Sequence, residues 1–162
     1  MLDFQDLYNT YAVDVYRFSY WLCGNSAEAE DITSETFLRA WTHRDNIRTE
    51  TLRAYLLSIS RNLYLESLRR HKPHSRISEA HPDSGPGVEA AYEHRDEIRS
   101  IQAALQQIRE VDRTAFILRV QHELPYEEIA RVLGLSLSAV KVKVHRVRLK
   151  LISMVKNEET LS

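Results

Sequence analysis

The sequence is poor in cysteine, glycine and proline, and each shortage narrows the choice of fold. Cys23 is the only cysteine in the 162 residues, so no disulfide can form within the chain. One thiol fits a reducing compartment, and we expect a cytoplasmic protein. Cys23 is interpreted as a buried bystander rather than a redox sensor, because no second cysteine could resolve an oxidised one. Four glycines and four prolines are too few for a turn-rich all-β fold.

Long apolar runs are also missing, although apolar residues make up 43% of the chain. No uncharged stretch approaches the roughly 20 residues that a transmembrane helix needs, so direct membrane insertion is not expected. The first four residues carry one acid, Asp3, and the basic and apolar regions of a signal peptide are not expected there. The length of 162 residues suits one medium domain or two small ones.

The net charge of −1 hides a strong segregation of charge along the chain. Residues 1–36 contain seven acids and one base, and residues 73–135 contain eleven acids and seven bases. Residues 37–72 contain eight bases and three acids, and residues 136–156 contain six bases and no acid. Two separate basic blocks predict two nucleic-acid contacts beside acidic surfaces for another partner. The alternative is a mosaic of solvated helix faces.

Apolar residues recur at three- and four-residue steps over most of the chain, which predicts an all-α fold. Gly24 and Gly134 are placed to end helices, whereas Ser136, and either Asn25 or Ser26, are placed to begin them. A polar loop is expected over 43–50. The expected helices cover about 4–22, 26–41, 51–72, 88–108, 113–121, 125–133 and 137–155.

Residues 71–87 hold three of the four prolines and two of the four glycines, without periodicity. This pattern predicts a flexible linker over 73–92 between two small helical domains, 1–72 and 93–162. His71, His74 and His81 form a weak metal-site pattern, since no second cluster of ligands accompanies them. We expect solvated histidines and neither a metal nor a cofactor.

A helix-turn-helix motif is predicted between residues 126 and 150. Such a motif needs a small residue where its helices cross, a glycine in the turn and an apolar residue that locks the second helix. Ala130, Gly134 and Val140 have these types at the required spacing, and the neighbouring apolar contacts come from Ile129, Leu133 and Leu135. The motif therefore predicts DNA binding by the C-terminal domain.

The two sides of the last helix differ in chemistry. At about 100° per residue, Val140, Val144, Val147 and Leu151 form one buried stripe. The opposite side, which would reach base edges, contains Ser138, Lys141, Val142 and His145. Cations flank that side and are expected at phosphates: Lys143, Arg146, Arg148 and Lys150.

Taken together, these motifs resemble the extracytoplasmic-function (group 4) sigma factors of bacterial RNA polymerase. The N-terminal half resembles sigma region 2 and the C-terminal half resembles sigma region 4. The order and spacing of the two halves match that family, in which no further sigma region lies between them. The resemblance implies a bacterial protein that recruits core RNA polymerase to promoters and is not an enzyme.

Residues 29–38, AEDITSETFL, resemble the region 2 helix that docks on the polymerase clamp. The family implies that Asp31 and Glu35 meet basic residues of core polymerase. Ser34 departs from the usual glutamine. The implied polymerase-binding set is Asp31, Ser34, Glu35, Phe37 and Leu38.

Residues 54–62, AYLLSISRN, resemble the region 2 helix that contacts the −10 element. The preceding loop matches the place where the family captures an unstacked base. Tyr55, Trp41 and Tyr64 could stack on bases, although aromatics at helical spacing are more often core residues. The implied −10 set is Arg48, Arg53, Tyr55, Arg61, Asn62, Arg69 and Arg70.

In region 4, residues 124–130, LPYEEIA, match the family closely, whereas residues 138–146 depart from it. The family usually has Gly-Thr where this chain has Ser138-Ala139, and Ser-Arg where it has Val142-Lys143. An apolar Val142 on the reading face could contact a thymine methyl. The implied −35 set is Ser138, Lys141, Val142, Lys143, His145, Arg146 and Arg148.

The partners implied are core RNA polymerase, promoter DNA (−35 duplex and melted −10 strand) and an anti-sigma factor. A small-molecule substrate is not expected.

Three alternative functions fit the sequence less well. A helix-turn-helix regulator that never recruits polymerase leaves the region 2 resemblance unexplained. An enzyme would need a catalytic motif such as HExxH or a phosphate loop, and none is present. A module that only sequesters a partner would not need the acid-free stretch at 136–156.

Overall fold

The computed structural model describes residues 3–47, 51–70 and 88–161, with side chains described outside 88–95 and 158–161. Arg48, the three linker histidines and residues 73–87 of the expected linker lie outside the described residues. Residues 88–92, at the end of that linker, form the first turns of a helix.

Within these ranges the fold is helical, without a strand, as the periodicity predicted. A 3₁₀ turn, Arg44–Asn46, lies within the expected polar loop. The α-helices are α1 Phe4–Cys23, α2 Ser26–Thr42, α3 Leu52–Arg70, α4 Val88–Gln106, α5 Glu110–Val120, α6 Tyr126–Leu133 and α7 Leu137–Leu161.

The predicted helix ends are confirmed where the chain supplies specific capping residues. Gly24 and Gly134 adopt left-handed conformations, with φ of 75° and 66°, directly after α1 and α6. Asn25 is the cap of α2, because its side chain accepts a hydrogen bond from the Glu28 amide at 2.9 Å. Ser136 Oγ accepts one from the Ala139 amide at 3.1 Å at the start of α7.

The N-terminal half is a bundle of α1, α2 and α3 around a shared apolar core. Phe18 and Leu22 from α1 pack with Phe37 from α2 and with Leu56 and Leu57 from α3, each at most 1% exposed. Burying side chains of this size stabilises the bundle by about 1.5–3 kcal/mol each. This core fixes the three outer faces of the bundle relative to one another.

The C-terminal half contains α4 to α7. The predicted buried stripe of α7 is confirmed at Val140, Val144 and Val147, each at most 2% exposed. On α4, by contrast, Ile98 and Ile101 are 39% and 40% exposed. The buried residues of that helix are Leu105, at 1% exposure in the core, and Gln102, at 7% exposure, which hydrogen-bonds across to α1.

The two halves pack directly against each other, which the sequence did not predict. One apolar cluster contains buried residues of both halves, including Val15 from α1 and Ile117 from α5. Gln102 and Gln106 of α4 donate hydrogen bonds to the carbonyls of Tyr20 and Leu22, at 2.8 and 3.2 Å. Both carbonyls lie in the last turn of α1; the Tyr20 carbonyl also accepts from the Gly24 amide at 2.8 Å, whereas carbonyls beyond it lack the usual helical donor.

Candidate nucleic-acid interface

The helix-turn-helix is formed by α6, the turn at Gly134 and α7. Ile129 and Val140 are fully buried, so they lock the two helices together. The Leu135 amide donates to the Ala130 carbonyl at 3.0 Å and closes the turn. A Cβ on Gly134 would meet nothing within 4 Å, so the glycine is required by its left-handed backbone and not by crowding.

The side of α7 opposite the buried stripe is open to solvent. Val142 is 45% exposed on this side, between charged and polar neighbours. A shallow depression beside it is lined by Ser138, Ala139, Val142, Lys143 and Arg146. The exposed residues predicted to read or flank the −35 element are Ser138, Lys141, Val142, His145, Arg146, Arg148 and Lys150.

Lys143 differs from the other cations of α7 because it is already paired. Its Nζ lies 2.7 Å from the Asp112 carboxylate of α5, and both side chains are about 30% exposed. An ion pair of this kind competes with a phosphate for the same ammonium group. Lys143 is therefore less available to DNA than its position on the helix implies.

Tyr126, at the first position of α6, lies beside the predicted −35 surface, and the sequence reasoning assigned no role to it. The Arg119 guanidinium lies 4.3 Å from its ring centre, and the Lys141 ammonium lies 5.8 Å from it. Cations near an aromatic face are attracted by its negative electrostatic potential. The ring therefore restrains Lys141 near the start of α7. The sequence held one indication of this contact: an aromatic residue at the start of a helix, with a cation several positions before it and another well after it.

A second polar surface lies along α3. Asn62, Arg69 and Arg70 are exposed on it, whereas Tyr55 is partly buried against the core. Tyr64 is only 2% exposed, and its hydroxyl accepts a hydrogen bond from Arg113 at 2.9 Å. Tyr64 is therefore a core residue, and stacking on a base is not open to it in this arrangement.

Two further arginines of α3 are held by carboxylates. Arg53 pairs with Asp14 of α1, and its Nη2 lies 3.4 Å from Nδ1 of His122. Arg61 donates two hydrogen bonds to Glu110 of α5, at 2.7 and 3.1 Å. These two residues of the predicted −10 set, unlike the exposed Arg69 and Arg70, are thus occupied by contacts within the chain.

The acidic face of α2 is exposed at Asp31, Ser34 and Glu35, and Leu38 is 57% exposed beside them. Phe37 differs, since it is 1% exposed with its ring centre 5.0 Å from that of Tyr8. The implied polymerase-binding set therefore needs one correction. In this structure Phe37 supports the helix from inside the core and does not face a partner.

Cys23 is placed as the bystander interpretation expects. Its Sγ donates to the Asn25 carbonyl at 3.3 Å, and burial raises the pKa of the thiol to about 12. The thiolate is the reactive form of cysteine, so this thiol is chemically quiet at neutral pH.

In the described part of the chain, no group of three or more His, Cys, Asp or Glu side chains could hold a metal ion. None of its helices is long and apolar enough to cross a bilayer.

Comparison with family models gives two matches that follow the division of the chain. Residues 7–74 match the model for sigma-70 region 2, and residues 98–151 match a model for sigma-70 region 4. The first match covers most of α1 with α2 and α3, and the second covers the C-terminal part of α4 with α5, α6 and most of the basic part of α7.

Comparisons with individual proteins cover both matched regions. The chain is 32% identical over 160 residues to the ECF RNA polymerase sigma factor SigE of Mycolicibacterium smegmatis, covering 93% of this chain and 61% of that protein. It is 30% identical to the ECF RNA polymerase sigma factor EcfG of Rhodopseudomonas palustris, covering 83% of this chain and 75% of that protein. The sigma factor RpoE of Bartonella quintana, solved with the anti-sigma factor NepR, matches at a TM-score of 0.75 and 21% identity, covering 95% and 97% of the two chains. The last comparison shows a shared fold.

Proposed function

The chain belongs to the extracytoplasmic-function group of the sigma-70 family, whose members direct transcription initiation, and from this premise we propose that it recruits core RNA polymerase to promoters with separate −10 and −35 elements. The observation that carries the proposal is the exposed face of α7, free of acids as far as Lys156, in a chain whose other half matches region 2. A recruiting protein needs both surfaces, one for DNA and one for the enzyme.

For the −35 element, α7 enters the major groove as a recognition helix does. Lys141, Val142 and His145 face the bases, with Ser138 at the N-terminal end of the helix. Arg146 and Arg148 contact phosphates, and Lys143 joins them when it leaves Asp112. Val142 offers an apolar contact for a thymine methyl group, which Lys or Arg at this position would not.

For the −10 element, α3 supplies the contacts. Asn62, Arg69 and Arg70 stand free in solvent to meet the strand. Arg53, Tyr55 and Arg61 complete the surface, and Arg48 is included as a cation of the preceding loop, where an unstacked base would be captured. Opening the duplex costs a few kcal/mol per unstacked base, and cationic and aromatic contacts of this kind offset that cost.

For core polymerase, α2 supplies Asp31, Ser34, Glu35 and the exposed Leu38. Apolar contact by Leu38 surrounded by acids fits a basic surface with a small apolar centre. We further propose that the protein works in the cytoplasm without catalysing a reaction, and that an anti-sigma factor regulates it. The structural relative bound to NepR supports the last point.

A DNA-binding regulator that does not recruit polymerase is the second hypothesis. It is not favoured, because the match to region 2 covers residues 7–74 and would have no role in it. Run-off transcription with purified core polymerase and a library of promoters separates the two. We expect initiation on a subset of templates that share both elements. No initiation on any member would overturn the proposed function.

A matched pair of variants tests the polymerase surface by titration of purified core polymerase. Asp31→Ala/Glu35→Ala removes two exposed acids from α2, whereas Asp96→Ala/Glu97→Ala removes two exposed acids from α4. We expect the α2 variant to lose most of its binding to core polymerase and the α4 variant to retain it. Equal losses would remove the special role of the α2 surface.

A further inference from the structure

Tyr8 is a large aromatic residue of α1 that the N-terminal bundle leaves open to solvent. It is 41% exposed, whereas Leu7 and Val15 of the same helix are at most 3% exposed. Tyrosine is enriched among the residues that carry most of the energy of a protein–protein interface. An exposed tyrosine next to a proposed binding surface is therefore a candidate anchor for the partner.

Aromatic neighbours hold the Tyr8 ring in place. Its centre lies 6.3 Å from that of Phe4, with the two ring planes 23° apart, and 5.0 Å from that of Phe37 on α2. Phe4 in turn meets Trp41 of α2 edge to face at 5.5 Å. The four rings form a row across the seam between α1 and α2. A ring that is already oriented in this way loses little conformational freedom when a partner binds it.

The open part of the Tyr8 ring lies on the outer side of α2. On that helix Thr36 faces α3, where its hydroxyl lies 3.1 Å from that of Ser60. At about 100° per residue, Leu38 lies on the opposite side of Phe37 from Thr36. Because α3 closes the inner side, the solvent-exposed part of Tyr8 emerges on the same side as Leu38, which is itself 57% exposed.

We propose that Tyr8 extends the polymerase-binding surface of α2 onto α1, and that its ring, in place of that of Phe37, contacts core polymerase. The proposal rests on the proposed binding of polymerase by α2. It also explains why the family resemblance implied a role for Phe37, which is only 1% exposed. Phe37 supports the Tyr8 ring from within the core. Tyr8 and Leu38 then form an apolar centre beside the exposed acids Asp31 and Glu35, a composition typical of protein interfaces.

The central test titrates purified core polymerase with the full chain in the absence of DNA. We expect Tyr8→Ala to bind about tenfold more weakly than the unmodified chain, as for an aromatic anchor. Tyr8→Phe keeps the ring and should bind almost as tightly as the unmodified chain. Val13→Ala is the matched control, because Val13 is 66% exposed on another side of α1. Unchanged binding by Tyr8→Ala, or an equal loss for Val13→Ala, would overturn the proposal.

A photocrosslinking experiment identifies the occupant of the surface and does not depend on the stability of Tyr8→Ala. Tyr8 is replaced by the photoreactive amino acid p-benzoylphenylalanine, which keeps an aromatic ring at that position. Irradiation with core polymerase and without DNA should join the chain to a polymerase subunit, whereas the same replacement of Val13 should not. Absence of the product from position 8 overturns the proposal. A product that joins two copies of the chain, or that forms only when DNA is added, identifies another occupant and also overturns it.

The Asp31→Ala/Glu35→Ala variant separates a failure of this proposal from a failure of the proposed function. If that variant loses polymerase binding and Tyr8→Ala does not, α2 binds polymerase without help from Tyr8, and only this proposal fails. If the unmodified chain does not bind core polymerase, both fail, because the surface that Tyr8 would extend then does not exist.

Discussion

Nδ1 of His122 lies 3.3 Å from the carboxylate of Asp14, and this contact joins the turn after α5 to the middle of α1. Burial lowers the pKa of His122 to about 4, and the nearby positive charge of Arg53 contributes, although Asp14 acts in the opposite direction. The pKa of Asp14 is itself lowered, because its hydrogen bond from Arg53 and the neighbouring positive charge outweigh its burial. At neutral pH the contact therefore joins a neutral imidazole to a carboxylate.

This contact predicts a loss of stability in mild acid. In the unfolded chain His122 takes up its proton near pH 6.5, whereas in the folded chain it does so only near pH 4. The unfolded state binds more protons between those values, so the free energy of unfolding falls as the pH drops through that window, by about 1–3 kcal/mol. The lowered pKa of Asp14 adds a slope of the same sign only at the acidic end of that window, where the carboxyl of the unfolded chain begins to take up a proton.

Urea unfolding at about pH 7 and about pH 5 measures the effect, with His122→Gln as the comparison. The variant should be less sensitive to pH by roughly the amount assigned to the histidine. An identical pH dependence in both proteins would show that His122 does not cause the slope. The difference between the two pH values is the readout, since the substitution also changes stability directly.

Lys141 and Arg146 should differ in the kind of DNA binding that they support. Lys141→Ala should cost about 1–3 kcal/mol and relax the preference at one base of the −35 element, since it removes a base contact. Arg146→Ala should weaken all sequences similarly and reduce the salt slope by about 1. Titration of specific and random duplexes at several salt concentrations measures both. Equal losses on both duplexes for Lys141→Ala would contradict its assignment to a base.

Asp112→Asn should strengthen DNA binding, because it releases Lys143 from its 2.7 Å ion pair. One additional phosphate contact corresponds to an increase of about 0.9 in the salt slope on duplex DNA. The same substitution in a Lys143→Ala background is the control, and it should have almost no effect there. A similar gain in both backgrounds would mean that Asp112 acts through general repulsion of DNA instead.

Cys23 should react slowly with thiol reagents in the native protein. Its pKa of about 12 leaves very little thiolate at neutral pH, and the surrounding core limits access. Labelling with iodoacetamide, followed by mass spectrometry, should be slow in buffer and fast in urea. Initiation with core polymerase should be the same for Cys23→Ser and for the unmodified chain, with or without added oxidant. Rapid native labelling would reopen the redox-sensor hypothesis.

The local architecture could be predicted from the sequence because its signals are local. The stripe of α7, the left-handed glycine after α6 and the serine cap at Ser136 depend on residues a few positions apart. Periodicity and capping chemistry describe such distances well. Element ends shifted by a few residues, as at α5, which begins at Glu110 where Arg113 was expected.

The packing of the two halves could not be predicted, because its contacts leave no periodic trace. Arg61 and Glu110 are 49 positions apart, and each alone reads as an ordinary surface charge. The same reasoning explains why Phe37 was assigned to a partner surface. Its matching position implied contact with polymerase, whereas only the three-dimensional packing reveals that its ring lies in the core.

The crossing of α2 and α3 has a consequence for where a transcript begins. Thr36 Oγ1 and Ser60 Oγ lie 3.1 Å apart, fully buried, and these small side chains let the helices approach closely. One helix faces the proposed enzyme surface and the other faces the proposed melted strand. The close packing of α2 and α3 would then hold the polymerase and the DNA strand at a fixed distance from each other. A bulkier residue at Ser60 should change the spacing between α2 and α3. We then expect RNA 5′ ends that are shifted in position or spread over several positions.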